Sequence, residues 1–182
     1  MSEQKYANQL HMVKLNMADI PEANIPDGYE LRVLRPGEEI KWEEICNRAF
    51  TWENHFASGI SERKGYVEDG VFVITDGDKI IATGTALCTR EQPDGYGYVH
   101  MIAADKNYSG QRLGYEITAA VIRRLRDAGF EKAELNTDDF RLPAIKSYCR
   151  LGFIPDLSRD GTMRERWEKI YEIFGWELTE YI

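Results

Sequence analysis

The chain predicts an α+β fold. Two observations carry the prediction. The first half holds alternating, hairpin-linked strand segments, and from about residue 98 the rhythm changes to strand–helix–strand–helix. The 182 residues are 43% hydrophobic, enough for one domain with its own core. Residues 1–28 lack periodicity and contain Pro21, Pro26 and Gly28. They read as an extension that docks through scattered apolar residues such as Leu10, Met12 and Ile20, with a single domain over 29–182. Tyr29–Leu34 alternates as a first strand, Pro36-Gly37 breaks it, and a helix follows with Ile40, Ile45 and Ala49.

Residues 50–70 are less regular and carry Trp52, His55 and Phe56. Val71–Thr75, the turn Asp76-Gly77-Asp78, and Lys79–Thr89 form a hairpin, with Gly84 as a bulge candidate. Pro93-Asp94-Gly95 is a further turn, leading into a strand over Tyr98–Ala103. Apolar residues at Leu113, Ile117, Ala120, Val121 and Leu125 then define a helical face that stops at Gly129. Ala133–Thr137 is a strand. Pro143 opens another helix that ends near Gly152-Phe153, and Met163, Trp167, Ile170, Tyr171 and Phe174 mark a last amphipathic helix, core or dimer contact by its stripe.

Composition narrows function. A formal charge of −8 argues against nucleic-acid or anionic-membrane binding and leans toward cationic small substrates. Cys46, Cys88 and Cys149 are odd in number and dispersed, and His11, His55 and His100 have no metal-ligand spacing, so neither a disulfide framework nor a metal site is expected. The first residues lack a secretory pattern and no apolar run approaches the ~20 residues of a membrane span, so a cytoplasmic location is expected.

The segment Asn107–Glu116 places Gly110 and Gly114 between a strand and a helix start. Free N–H groups and the helix dipole there favour an anion. No Gly-Lys-Ser/Thr follows, as a Walker loop requires, and the three glycines and βαβ context of a dinucleotide fingerprint are missing.

Residues 98–153 resemble the acetyl-CoA-binding core of the GNAT (GCN5-related) N-acetyltransferases. The strand entering Tyr108-Ser109-Gly110-Gln111-Arg112-Leu113-Gly114 is similar to the family's Arg/Gln-x-x-Gly-x-Gly/Ala loop. The helix ending Asp127-Ala128-Gly129-Phe130 and the strand Lys132–Leu135 follow in order. Ala144–Phe153 is similar to the family's Ala-x-x-x-Tyr-x-x-x-Gly-Phe ending. Ser109 and Arg112 depart from the loop pattern, and Arg141 stands where an Asn often meets the pantetheine arm. Arg112 must avoid a positive φ or bear its cost.

The resemblance implies a mixed, mostly antiparallel sheet flanked by helices, with a V-shaped opening between central strands. It implies acetyl-CoA as co-substrate, its pyrophosphate on Gly110, Gln111, Arg112, Leu113, Gly114 and Tyr115, and its arm along Met101, Ile102 and Ala103, with Arg141 nearby. A small-molecule or peptide amine would attack the thioester directly. Tyr148, at the family's tyrosine position, is the candidate acid for the leaving thiolate; the alternative is an aromatic packed at a helix–sheet seam. Alternation puts Tyr98, His100 and Ile102 on one face. His100, titrating near working pH, is the candidate base; the alternative is an inert strand histidine. A bulge in this strand would change which residues face the cleft. Trp52, His55 and Phe56 fall where the family builds its acceptor pocket, and Asp138-Asp139 are either acceptor-facing carboxylates or a solvated turn. A homodimer is compatible with the pattern. The competing function is a non-catalytic acyl-CoA-binding sensor or interaction module.

Overall fold

The computed structural model describes residues 8–50, 52–88 and 95–182. Seven strands form one sheet: β1 (Leu10–Lys14), β2 (Tyr29–Val33), β3 (Val71–Asp76), β4 (Lys79–Leu87), β5 (Tyr96–Ala104), β6 (Lys132–Thr137) and β7 (Ile154–Pro155). Their order is β2-β3-β4-β5-β6-β1-β7, antiparallel throughout except for the β5–β6 pair. Four α-helices complete the fold: α1 (Glu39–Ala49), α2 (Leu113–Asp127), α3 (Leu142–Arg150) and α4 (Met163–Phe174). The predicted turn residues Pro93 and Asp94, and Thr89 at the end of the second hairpin strand, lie outside the described residues.

Alternation along β3 sorts the two faces. Val71 and Val73 pack with Trp42 and Ile45 of α1, whereas Ile74 packs with Leu113 and Ile117 of α2. A larger cluster joins α2 to Ile145 of α3 and to Met163, Trp167 and Ile170 of α4. The apolar stripe of the last helix is therefore core. Asp138 and Asp139 are not a solvated turn. Asp138 is buried against Gln9 and Arg141, and Asp139 receives two hydrogen bonds from the buried Arg166.

The extension holds a strand the sequence reading lacks. Leu10–Lys14 is fully buried and lies between β6 and β7. Its five residues contain His11 and Lys14, and their polarity hides the strand in one-dimensional pattern. On β1, His11 places Nδ1 2.8 Å from Asp156 and Nε2 3.1 Å from Glu134. Burial alone would raise the Asp156 carboxyl; donors from Ser158 and His11 hold it below its ordinary range. Replacing His11 by alanine leaves the buried Asp156 and the part-buried Glu134 carboxylates without this partner. The expected loss is about 3 kcal/mol, read as a fall of about 10 °C in Tm by calorimetry. An unchanged Tm would show that water replaces the imidazole.

The segment after β1 straps onto α2. The Asn24 N–H donates to the buried Glu116 carboxylate at 2.9 Å, and Arg123 donates to the Pro21 carbonyl. The extension thus reaches the N-terminal turn of α2.

Candidate active site

Two features of the sheet build a cleft. Pairing of β5 with β6 covers only Tyr96–Tyr98, whereas pairing of β5 with β4 continues to Ala104. From Val99 onward the β6-facing edge of β5 has no strand beside it among the described residues. β6 runs on to Thr137 with its own edge equally open toward β5. The gap between them is a cavity of about 130 Å³ lined by β5, by Leu135–Thr137 and by Arg141 and Tyr148.

The second feature is a bulge. Thr85 pairs with His100 and Thr83 with Ala103, so β5 spends two residues opposite Gly84 alone. Met101 takes φ +50°, costly for a side chain with a Cβ. His100 and Met101 consequently both point to the α1 side: His100 reaches the Gly59 carbonyl and Met101 joins the cluster around Trp42. Ile102 turns to the α2 face, against the expectation that it shares a face with Tyr98 and His100. Gly84 is not the bulge itself. A Cβ there would meet Ile102 at 2.6 Å, so the glycine makes room for the residue the bulge turns inward.

At the start of α2 the loop accepts the cost the sequence flagged. Arg112 is the N-cap in a left-handed conformation, φ +60° and ψ 16°, and Gly110 has φ +86°. The Arg112 carbonyl takes the N–H groups of Tyr115 and Glu116. The N–H groups of Gln111, Arg112, Leu113 and Gly114 find no partner among the described residues. Four orphan donors at the positive end of a helix are what an anionic pyrophosphate requires. The loop offers amides more than side chains: Leu113 is buried in the core, and Arg112 lies over the Tyr115 ring at 4.5 Å and 3.7 Å from Glu116. Asp105 fixes the approach to the loop by accepting from the Asn107 N–H and Lys79.

Tyr148, on α3, is 6% exposed, and its ring meets Phe153 edge-on at 6.1 Å. Burial raises its phenol far above the ordinary tyrosine range, and the nearby Arg141 charge opposes that. Its hydroxyl has no hydrogen-bond partner among the described residues and its side chain lines the cleft. Arg141 lines the same cleft but is held by Asp138 at 2.9 Å and lies 4.7 Å over Phe50.

His100 does not titrate near neutrality. Burial, helped by the charge of Arg63, lowers it from 6.5 to about 4. Because Nε2 faces a carbonyl oxygen at 3.1 Å, that nitrogen carries the proton and Nδ1 keeps a lone pair. The unfolded chain takes up this proton first. The stability gained from a neutral His100 is therefore complete above about 6.5 and is lost as pH falls toward about 4. The loss is on the order of 3 kcal/mol. In His100→Gln, unfolding midpoints measured from pH 7 to pH 4 should fall less steeply than in the parent; parallel curves would contradict the assignment.

Several contributors escaped the sequence reading. Asn136 donates to the Tyr98 hydroxyl at 3.0 Å, tying β6 to β5 just where their backbone pairing stops. Thr137 has a buried hydroxyl without a partner and lines the cleft. Arg63 lines an adjoining cavity of about 410 Å³ together with Trp52, His55, Tyr98 and His100. Of the three predicted pocket residues, Trp52 and His55 line this cavity, while Phe56 packs edge-on against Trp42 in the core. Among the described residues, no group of three or more His, Cys, Asp or Glu could hold a metal ion, and no helix is long and apolar enough to cross a membrane.

A model of the Acetyltransferase (GNAT) family matches residues 35–153, which span α1 through the strand–helix core to Phe153. The chain belongs to the acetyltransferase (GNAT) family. Its fold is similar to that of a GCN5-related N-acetyltransferase structure from Sphaerobacter thermophilus, at TM-score 0.66 and 19% identity over 82% of this chain and 50% of that one. Among curated relatives, a mycothiol acetyltransferase from Thermomonospora curvata is 27% identical, covering 76% of this chain and 48% of the relative. One from Sanguibacter keddieii is 30% identical, covering 73% and 46%. This GNAT chain thus spans about half the length of the curated relatives it matches.

Proposed function

We propose that the chain is an acetyl-CoA-dependent N-acetyltransferase that acts in the cytoplasm on a primary amine of a small molecule or peptide. One observation carries the reading: the unpaired edge of β5 opens on a cleft that Tyr148 lines, and the loop that follows β5 presents four amides at the start of α2 without a partner among the described residues. Membership of the GNAT family supports it. On this reading residues 29–182 carry the acetyltransferase unit, and residues 1–28 are an extension whose strand completes its sheet.

Acetyl-CoA, when bound, supplies an activated thioester carbonyl. The amides of Gln111–Gly114 hold its pyrophosphate, with Gly110 and Arg112 shaping the loop and Tyr115 supporting Arg112. The edge of β5 at Met101–Ala103 receives the amide-bearing arm as a strand would, and the Thr137 hydroxyl offers it a further bond. Arg141 closes the cleft near Tyr148. Attack forms the C–N bond and breaks the C–S bond. Tyr148 donates its proton to the departing sulfur and regains one from solvent. His100 accepts a hydrogen bond from the attacking amine at Nδ1 and passes the surplus proton to water, since its lowered basicity keeps it from storing one. A pH limb belonging to His100 should therefore fall near pH 4, with activity lost below it and the limb absent in His100→Ala.

The direct test is thiol release from acetyl-CoA with a broad amine panel. Turnover on one class of amine supports the proposal. Tight acetyl-CoA binding with no turnover on any amine would return the chain to a binding module.

A further inference from the structure

Resting on the acetyltransfer reading of the same cleft, we infer that Arg63 forms an anion subsite that selects an amine acceptor carrying a carboxylate. Arg63 follows the π-helical turn Ala57–Ser61, and its Nε donates to the Gly59 carbonyl at 2.9 Å. That carbonyl also receives His100 Nε2 at 3.1 Å. One oxygen thus seats the guanidinium beside the proposed proton acceptor. The two terminal nitrogens of Arg63 have no partner among the described residues. Arg63 is exposed, so these nitrogens are open to a ligand. Arg32, Arg124, Arg141 and Arg166 are each held by a carboxylate.

A guanidinium rooted at Nε and open at both Nη groups presents the fork that matches a carboxylate. It does so on the wall of the 410 Å³ cavity, which is of small-molecule size. Trp52, 49% exposed and stacked on Phe50 at 5.1 Å, gives the cavity an apolar platform for the carbon skeleton between amine and acid. The acidic residue in the lining, Glu53, has a side chain 79% exposed and lies 3.6 Å from His55, so water screens its charge. A bound carboxylate would also relieve the charge of Arg63 on His100 and strengthen that base during turnover.

The test uses ω-amino acids of two to six carbons, each paired with its carboxamide, under acetyl-CoA saturation and at matched free-amine concentration. For the best-fitting length the acid should exceed the amide by about tenfold or more in kcat/KM. Arg63→Gln should bring that ratio to about one, and Arg63→Lys should keep part of it. A ratio near one in the parent, or a preference that survives Arg63→Gln, overturns the subsite. Because the readout is a ratio, general damage to the variant does not imitate the result. Quenching of Trp52 fluorescence by the same compounds, with Trp52→Phe as control, reads binding without turnover. Carboxylate-selective quenching that Arg63→Gln abolishes, with no thiol release on any amine, upholds the subsite and overturns acetyl transfer. Thiol release without carboxylate selectivity overturns the subsite alone.

Discussion

Tyr148→Phe is expected to lower kcat by about 10²-fold or more while leaving acetyl-CoA affinity within about twofold. Phenylalanine keeps the ring, so the contact with Phe153 and the packing of α3 persist and no cavity opens. The change removes one hydroxyl, which has no partner in the described protein and lines the cleft. The raised phenol stays protonated across the working range, so it is always a donor and should contribute no basic limb between pH 5 and pH 9. Steady-state kinetics combined with a rapid-mixing measurement of the chemical step would decide the matter. An unaltered rate for that step would remove Tyr148 from the mechanism and leave it as an aromatic of the helix–sheet seam.

Gly114→Val should weaken acetyl-CoA binding at least about 100-fold, equivalent to about 2.8 kcal/mol, in a protein that still folds. A Cβ at Gly114 meets nothing within 4 Å. Nor does Gly114 occupy a positive φ, unlike Gly110 at +86°. Within a helix, valine is not a worse choice than glycine. The added methyls therefore burden the fold little and stand in the space before the four free amides. Calorimetric titration with CoA, alongside a thermal melt, separates the effects. Normal affinity in the folded variant would refute the cradle.

The strand–loop–helix geometry behind the proposed cradle was legible because its information is local: a strand, two glycines and a helical apolar stripe adjoin in sequence. The left-handed cost at Arg112 was legible for the same reason. What escaped depends on distant partners. Leu10–Lys14 pairs with residues more than a hundred positions away, and His11 and Lys14 interrupt its apolar pattern. The faces of β5 depend on an extra residue opposite Gly84, visible only in the register with β4. His100 was expected to titrate near neutrality because composition shows no burial; the Gly59–Arg63 turn that encloses it has no periodicity to read.

On the proposed reading, the short β5–β6 pairing would work as a depth stop. Two unpaired edges on the outside of a sheet would invite other chains to add strands. Here their pairing ends at Tyr98, so on the proposed reading the opening would accept one extended chain from its unpaired end and halt it where pairing begins. A single further residue of pairing would shift that stop by about 3.3 Å, more than the reach of a hydrogen bond. The distance between an incoming acyl group and Tyr148 would thus be gauged by backbone register, and a change in strand pairing could silence the site with every side chain intact.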